Sequence, residues 1–149
     1  MEMISKTKRS VSSMEKITVL WGPSCGSARR ACHWLDTHDL AYDRVNVVST
    51  AITLDTLKKV LSLTEYGAEE IISERSKAFK KFGRKYIDSL TISQLHRLLV
   101  NYPSLIKKPI IFTHNKLQIG FNEDEIRSFI PRETRRVSFA QMLSILHDA

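Results

Sequence analysis

The chain has 149 residues, 42% hydrophobic and 26% charged, a balance that supports a buried core and excludes a disordered polymer. Lys and Arg number 23 against 16 Asp and Glu, and the resulting charge of +7 favours acidic partners such as nucleic acid or an acidic protein surface. Two cysteines exclude a disulfide scaffold and argue against a cysteine-built metal site; no apolar run reaches membrane-spanning length and none near Met1 suits a signal peptide, so a cytoplasmic setting is expected.

Residues 1–15 are polar, serine-rich and aperiodic, and are expected to form a flexible tail ahead of one domain spanning 16–149. Ile17–Trp21 is a short strand signal stopped by Gly22-Pro23. Ala28, Ala31, Cys32 and Leu35 recur at helical spacing and predict an amphipathic helix reaching about His38. Tyr42–Val48 is β-branched and alternating, so strand, helix and strand imply a parallel pair.

The middle of the chain, about residues 50–105, changes to helical periodicity. Thr53 opens a helix with Leu54, Leu57 and Leu61 on one face; further helices are expected over 68–73, 73–82 and 93–102, the last capped near Thr91 and closed by Pro103. Strands return as Ile110–Thr113 and Lys116–Ile119, joined by a turn at His114-Asn115. Asn122 is expected to cap a helix with Glu123, Asp124 and Glu125 in its first turn, ended by Pro131, and a last helix is expected over 138–147. The order βαβ, helical insert, ββα is an α/β thioredoxin-like arrangement with an all-helical sub-domain spliced into its middle.

Cys25 follows a strand and opens a helix, in Gly22-Pro23-Ser24-Cys25-Gly26-Ser27-Ala28-Arg29-Arg30. First-turn N–H groups favour a thiolate or a bound anion there, which makes Cys25 a candidate redox-active thiol, with Arg29 one turn on as an anion-site candidate. A dithiol switch needs a second cysteine three positions later, and Ala28 stands there. Cys32 is seven residues along the helix, about 10.5 Å of rise, whereas disulfide partners need Cα atoms within about 7 Å. Its spacing places it on the core stripe. The five histidines are scattered, and no spacing pairs one with Cys25.

Pro23-Ser24-Cys25, Gly67 with Glu69-Glu70-Ile71-Ile72-Ser73, Arg75-Ser76-Lys77, Lys108-Pro109-Ile110-Ile111 and Gly120-Phe121-Asn122-Glu123-Asp124-Glu125-Ile126-Arg127 together resemble the Spx regulators of the arsenate reductase (ArsC-like) family, from about Lys16 to the Arg135 region. The resemblance implies a monomeric adaptor that binds the C-terminal domain of the RNA polymerase α subunit and redirects transcription in thiol stress. Promoter DNA would be met only in complex with polymerase, and a proteolytic adaptor with its Clp-type protease is a further partner that it allows. It implies polymerase or DNA contacts at Gly67, Arg75 and Lys77, a cis peptide at Pro109, and an arginine at the position held here by Lys108, beside the thiol. Lys108 keeps the charge without the planar fork of donors. With Ala28 in place of a cysteine, the usual redox switch is not encoded. No cofactor is implied. The rival resemblance is to glutaredoxin-dependent arsenate reductases, which use one cysteine at the Cys25 position and three arginines to clamp the oxyanion. Here Arg75 falls near the first, Lys108 replaces the second, and Gly120-Phe121-Asn122 replaces the segment carrying the third.

Overall fold

A computed structural model describes residues 16–131, so the tail expected at 1–15 and the helix expected at 138–147 lie outside the described residues. Four strands, β1 (Ile17–Trp21), β2 (Tyr42–Asn46), β3 (Ile110–Phe112) and β4 (Leu117–Ile119), form one mixed sheet in the order β2-β1-β3-β4. β1 runs parallel to β2 and antiparallel to β3, and β3 pairs antiparallel with β4. The parallel pair is joined through α1 (Gly26–Thr37), as a parallel connection requires.

Strand alternation divides the core between the two sheet faces. Ile17 and Val19 of β1 and Ile111 of β3 pack with Ala31, Cys32, Trp34 and Leu35 of α1, and Ile126 and Phe129 close the same layer. Leu20, Ile110 and Phe112 point the other way, into a larger cluster supplied by the insert. That insert holds α2 (Leu54–Ser62), α3 (Lys77–Phe82), α4 (Arg84–Asp88) and α5 (Ile92–Asn101), with Leu57, Val60, Leu95, Leu98 and Leu99 buried.

Caps explain where these helices start. Thr53, Ser76 and Thr91 each accept from the N–H three residues on, and Thr91 with Gln94 completes a reciprocal capping box. The helices expected over 68–73 and 73–82 are shorter than the sequence pattern suggests. Only one 3₁₀ turn forms at Gly67–Glu70, and α3 begins at Lys77. Between them the backbone is diverted: Ile72 bridges Ile106, Lys107 N donates to Ile71 O (2.8 Å), and Ser73 N donates to Leu105 O (2.7 Å). Those groups cannot also serve an i to i+4 ladder. The segment after Asn122 is likewise a 3₁₀ run, Glu125–Phe129, with Asn122 Oδ1 accepting from the N–H groups of Asp124 (2.9 Å) and Glu125 (3.0 Å). No helix of the described residues is long and apolar enough to cross a membrane.

Candidate functional site

The chain leaves β1 at Trp21 and turns through Gly22, whose O accepts from Cys25 N (3.2 Å), before α1 begins. Cys25 is the N-cap of α1, and its Sγ accepts from Ala28 N (3.4 Å). The thiol in turn donates to Lys108 O (3.4 Å), the carbonyl of a cis peptide between Lys108 and Pro109. One half-buried sulfur is therefore gripped by the helix start and by the segment that enters β3. Cys32 is buried against the sheet in the layer that α1 covers.

Lys108 reaches the same place by a different route. Its stem crosses Gly22 so closely that a Cβ there would lie 2.9 Å from Lys108 Cδ and Cε, so any larger residue would have to displace the lysine stem. The ammonium then donates to Pro103 O (3.2 Å) and Ile106 O (3.0 Å). Burial pushes the pKa of this ammonium down from the ordinary lysine value, and the negative charge of an ionised Cys25 opposes that shift. Two of the three N–H donors of Lys108 thus go to backbone carbonyls. Arg29, on the exposed side of α1, donates through Nη1 to Pro23 O (3.3 Å).

Cys25, Lys108 and Gly120 line one open cleft of about 930 Å³, whose opposite wall is the insert through Glu70, Ser73 and Tyr102. Gly67 belongs to the turn that precedes this wall, while Arg75 and Lys77 are exposed at the start of α3. The fold therefore brings Cys25, Lys108 and Pro109 together. It keeps Gly67, Arg75 and Lys77 on the insert, and turns Arg29 to the outer side of α1.

Sequence reasoning missed how firmly the Gly67 turn is held. Glu70 Oε2 accepts from the backbone N–H groups of both Glu65 and Tyr66, and Thr64 Oγ1 accepts from Gly67 N (3.1 Å). Gly67 itself adopts φ 89°, and the Tyr66 side chain beside it is 72% exposed. The Thr64-Glu65-Tyr66-Gly67 string carried the signal, a hydroxyl followed by a glycine three residues on. Arg84 then bonds Glu74 and approaches Glu69 (3.6 Å), tying the turn to α4.

The ArsC family pattern matches residues 20–129, from β1 through the 3₁₀ run that closes the α1 layer. The chain is 44% identical over 125 residues to the global transcriptional regulator Spx of Streptococcus mutans, covering 84% of this chain and 90% of that protein. It is 45% identical over 119 residues to the Spx regulator of Listeria monocytogenes, covering 80% of this chain and 90% of the relative. A crystal structure of an ArsC family related protein from Bacteroides fragilis shares the fold, with a TM-score of 0.65 at 22% identity over 76% of this chain and 97% of that one. The matched span runs from the end of β1 through the other three strands and every helix of the insert, and on that ground the chain belongs to the ArsC family, among its Spx-type transcriptional regulators with a thioredoxin-like α/β fold.

Proposed function

We propose that this protein regulates transcription by binding the C-terminal domain of the RNA polymerase α subunit through the surface around Gly67, and that it does so in thiol stress without a dithiol switch. Close relatives that span most of the chain are global transcriptional regulators. The observation that carries the contact is the Tyr66–Gly67 turn. An exposed tyrosine sits beside a glycine whose missing Cβ would face open space, on a loop locked by three backbone-to-side-chain hydrogen bonds. An exposed aromatic on a turn whose backbone is held, with room for close approach at the glycine, suits a binding hot spot. Arg75 and Lys77, exposed on the neighbouring helix start, supply charge for promoter DNA or an acidic polymerase surface once the complex has formed. The protein then acts in the cytoplasm as a monomeric adaptor whose amount, set by a proteolytic adaptor and its Clp-type protease, controls output.

The site also speaks against arsenate reduction. An oxyanion clamp needs several fixed bidentate donors around the thiol. Here Lys108 spends donors on Pro103 O and Ile106 O, and Arg75, exposed ahead of α3, does not line the Cys25 cleft. Co-purification with the isolated α C-terminal domain tests the reading. Because φ 89° strains most side chains, the informative substitution is Gly67→Asn, since asparagine tolerates a left-handed backbone. Gly67→Asn is expected to weaken binding at least about tenfold with a melt within a few degrees of wild type. Undiminished binding by that variant, or arsenate turnover with glutathione and glutaredoxin, overturns the reading.

A further inference from the structure

The outer face of α1 carries a second feature that the polymerase contact does not use. Arg29 and Arg30 are both exposed, and each guanidinium is anchored by one terminal nitrogen, Arg29 Nη1 to Pro23 O (3.3 Å) and Arg30 Nη2 to Ser27 Oγ (3.2 Å). Their other terminal nitrogens, Arg29 Nη2 and Arg30 Nη1, each lie 3.8 Å from the point where a Cβ on Gly26 would sit. Two guanidinium groups, already oriented, thus converge over one bare glycine. Neither free nitrogen has an acceptor among the described residues. A groove of about 570 Å³ continues from Gly26 along α1, lined by His33 and Thr37 and, from the loop after β4, by Phe121 and Glu123. At its far end the His38 ring stacks on Trp34, with centroids 3.7 Å apart.

We propose that this groove binds a nucleoside phosphate, with the phosphate on the Arg29–Arg30 pair and the base against the ring surfaces of the groove. Guanidinium groups match phosphate geometry, and anchoring one nitrogen of each in advance lowers the ordering cost of binding. The volume lies in the range of small-molecule sites. Phe121 and His38 offer ring faces on which a base can stack, as aromatic side chains do for unpaired bases. Glu123 separates this ligand from an acidic peptide: its carboxylate accepts hydrogen bonds from a ribose hydroxyl or a base amino group, which the ionised side chains of a carboxylate-rich chain cannot donate. The site is independent of the polymerase contact. It lies on the α1 side of the sheet, whereas Gly67, Arg75 and Lys77 belong to the insert on the other face.

Calorimetric titration of the full chain with GDP, ADP and UDP tests the proposal, with pyrophosphate and a polyglutamate peptide as controls. Saturable binding of at least one nucleoside diphosphate is expected, with pyrophosphate at least about tenfold weaker because it lacks the base. Arg30→Gln is expected to lower that affinity at least about tenfold by removing one fork. Gly26→Leu keeps both arginines but fills the space between them, and should cause a similar loss. Since leucine is a better helix former than glycine, this variant should fold at least as stably as wild type, as its thermal melt will show. Amide shifts on titration should concentrate at Arg29, Arg30, His33 and Phe121. Four outcomes would overturn the proposal: no saturable binding at millimolar nucleotide, pyrophosphate binding as tightly as nucleotide, Arg30-dependent binding of the peptide alone, or shifts confined to the Cys25 cleft.

Discussion

Cys25 has a backbone N–H on one side of its sulfur and a backbone carbonyl on the other, and no second thiol within the same turn of helix. Cys32 is buried on the face of α1 that meets the sheet, and burial pushes its thiol pKa up. A Cys25–Cys32 disulfide would need the helix to unwind by nearly two turns, given about 10.5 Å of rise between them. Thiol counting after diamide, on monomer freed of any dimer, should return two free thiols or adducts confined to Cys25. A monomer with both thiols consumed in one bond would contradict the geometry. The single ammonium of Lys108 reaches two carbonyls of the 103–106 segment, so its charge braces the cleft wall and is not wholly available to the thiol.

The helices of the insert are short, and short helices depend on their ends. α5 is the best defined of them. Thr91 Oγ1 accepts from Gln94 N (3.2 Å), Gln94 Oε1 accepts from Thr91 N (2.9 Å), and Leu95, Leu98 and Leu99 are buried beneath. Thr91→Ala removes one half of the box and is expected to cost about 1 kcal/mol, a few degrees in the thermal midpoint. Because the two bonds are reciprocal, Gln94→Ala in the same background should add less than it costs alone. Independent additivity would show that the box is not the cap. α5 was legible from Thr91 and its leucine stripe and α2 from Thr53 and its leucines, because period and cap agree in each, and α1 and the four strands were legible from period alone. The insert's remaining features were not. Residues 71–73 carry a helical pattern that is overruled by hydrogen bonds to 105–107, more than thirty positions away, and α4 is a five-residue helix entered through Gly83 at φ 84°. Nor can spacing alone reveal that Arg29 and Arg30 both reach over Gly26, or that Lys108 turns back towards the carbonyls of Pro103 and Ile106, since side-chain direction depends on the path the local backbone takes in three dimensions.

Titratable groups on the two sides of the sheet are shifted in ways that make their contributions to stability change oppositely with pH. On the α1 side, Tyr42 at the edge strand donates to Asp36 Oδ1 (3.0 Å) and contacts Cys32 O (3.4 Å). Burial raises the Tyr42 pKa above its ordinary 10.0, and the charges of Cys32 and Asp36 raise it further; burial also raises Cys32 above its ordinary 9.0. Each of these acids holds its proton longer in the folded chain than in the unfolded one. Their stabilisation is therefore complete below the unfolded values and is lost as pH climbs from about 9 through the raised folded values. On the insert side the sign reverses. Lys108 is lowered by burial, so between its folded pKa and its ordinary 10.5 the unfolded chain binds more protons, and stability rises with pH. The alkaline limb of the wild type is the sum of these opposed slopes, and a single denaturation curve cannot separate them. Comparison at each pH with Tyr42→Phe can. The phenylalanine keeps the ring in place but loses the Asp36 bond, so at neutral pH the variant is expected to be about 1 kcal/mol less stable. Above pH 10 that gap should close and then reverse, because only the wild type carries a half-buried phenol that ionises less readily in the folded chain than in the unfolded one. Urea midpoints measured from pH 7 to 11 on both proteins give the answer. A gap that stays constant across that range would mean that Tyr42 ionises as freely in the folded chain as in the unfolded one, and that the α1 layer is open to water where β2 meets it.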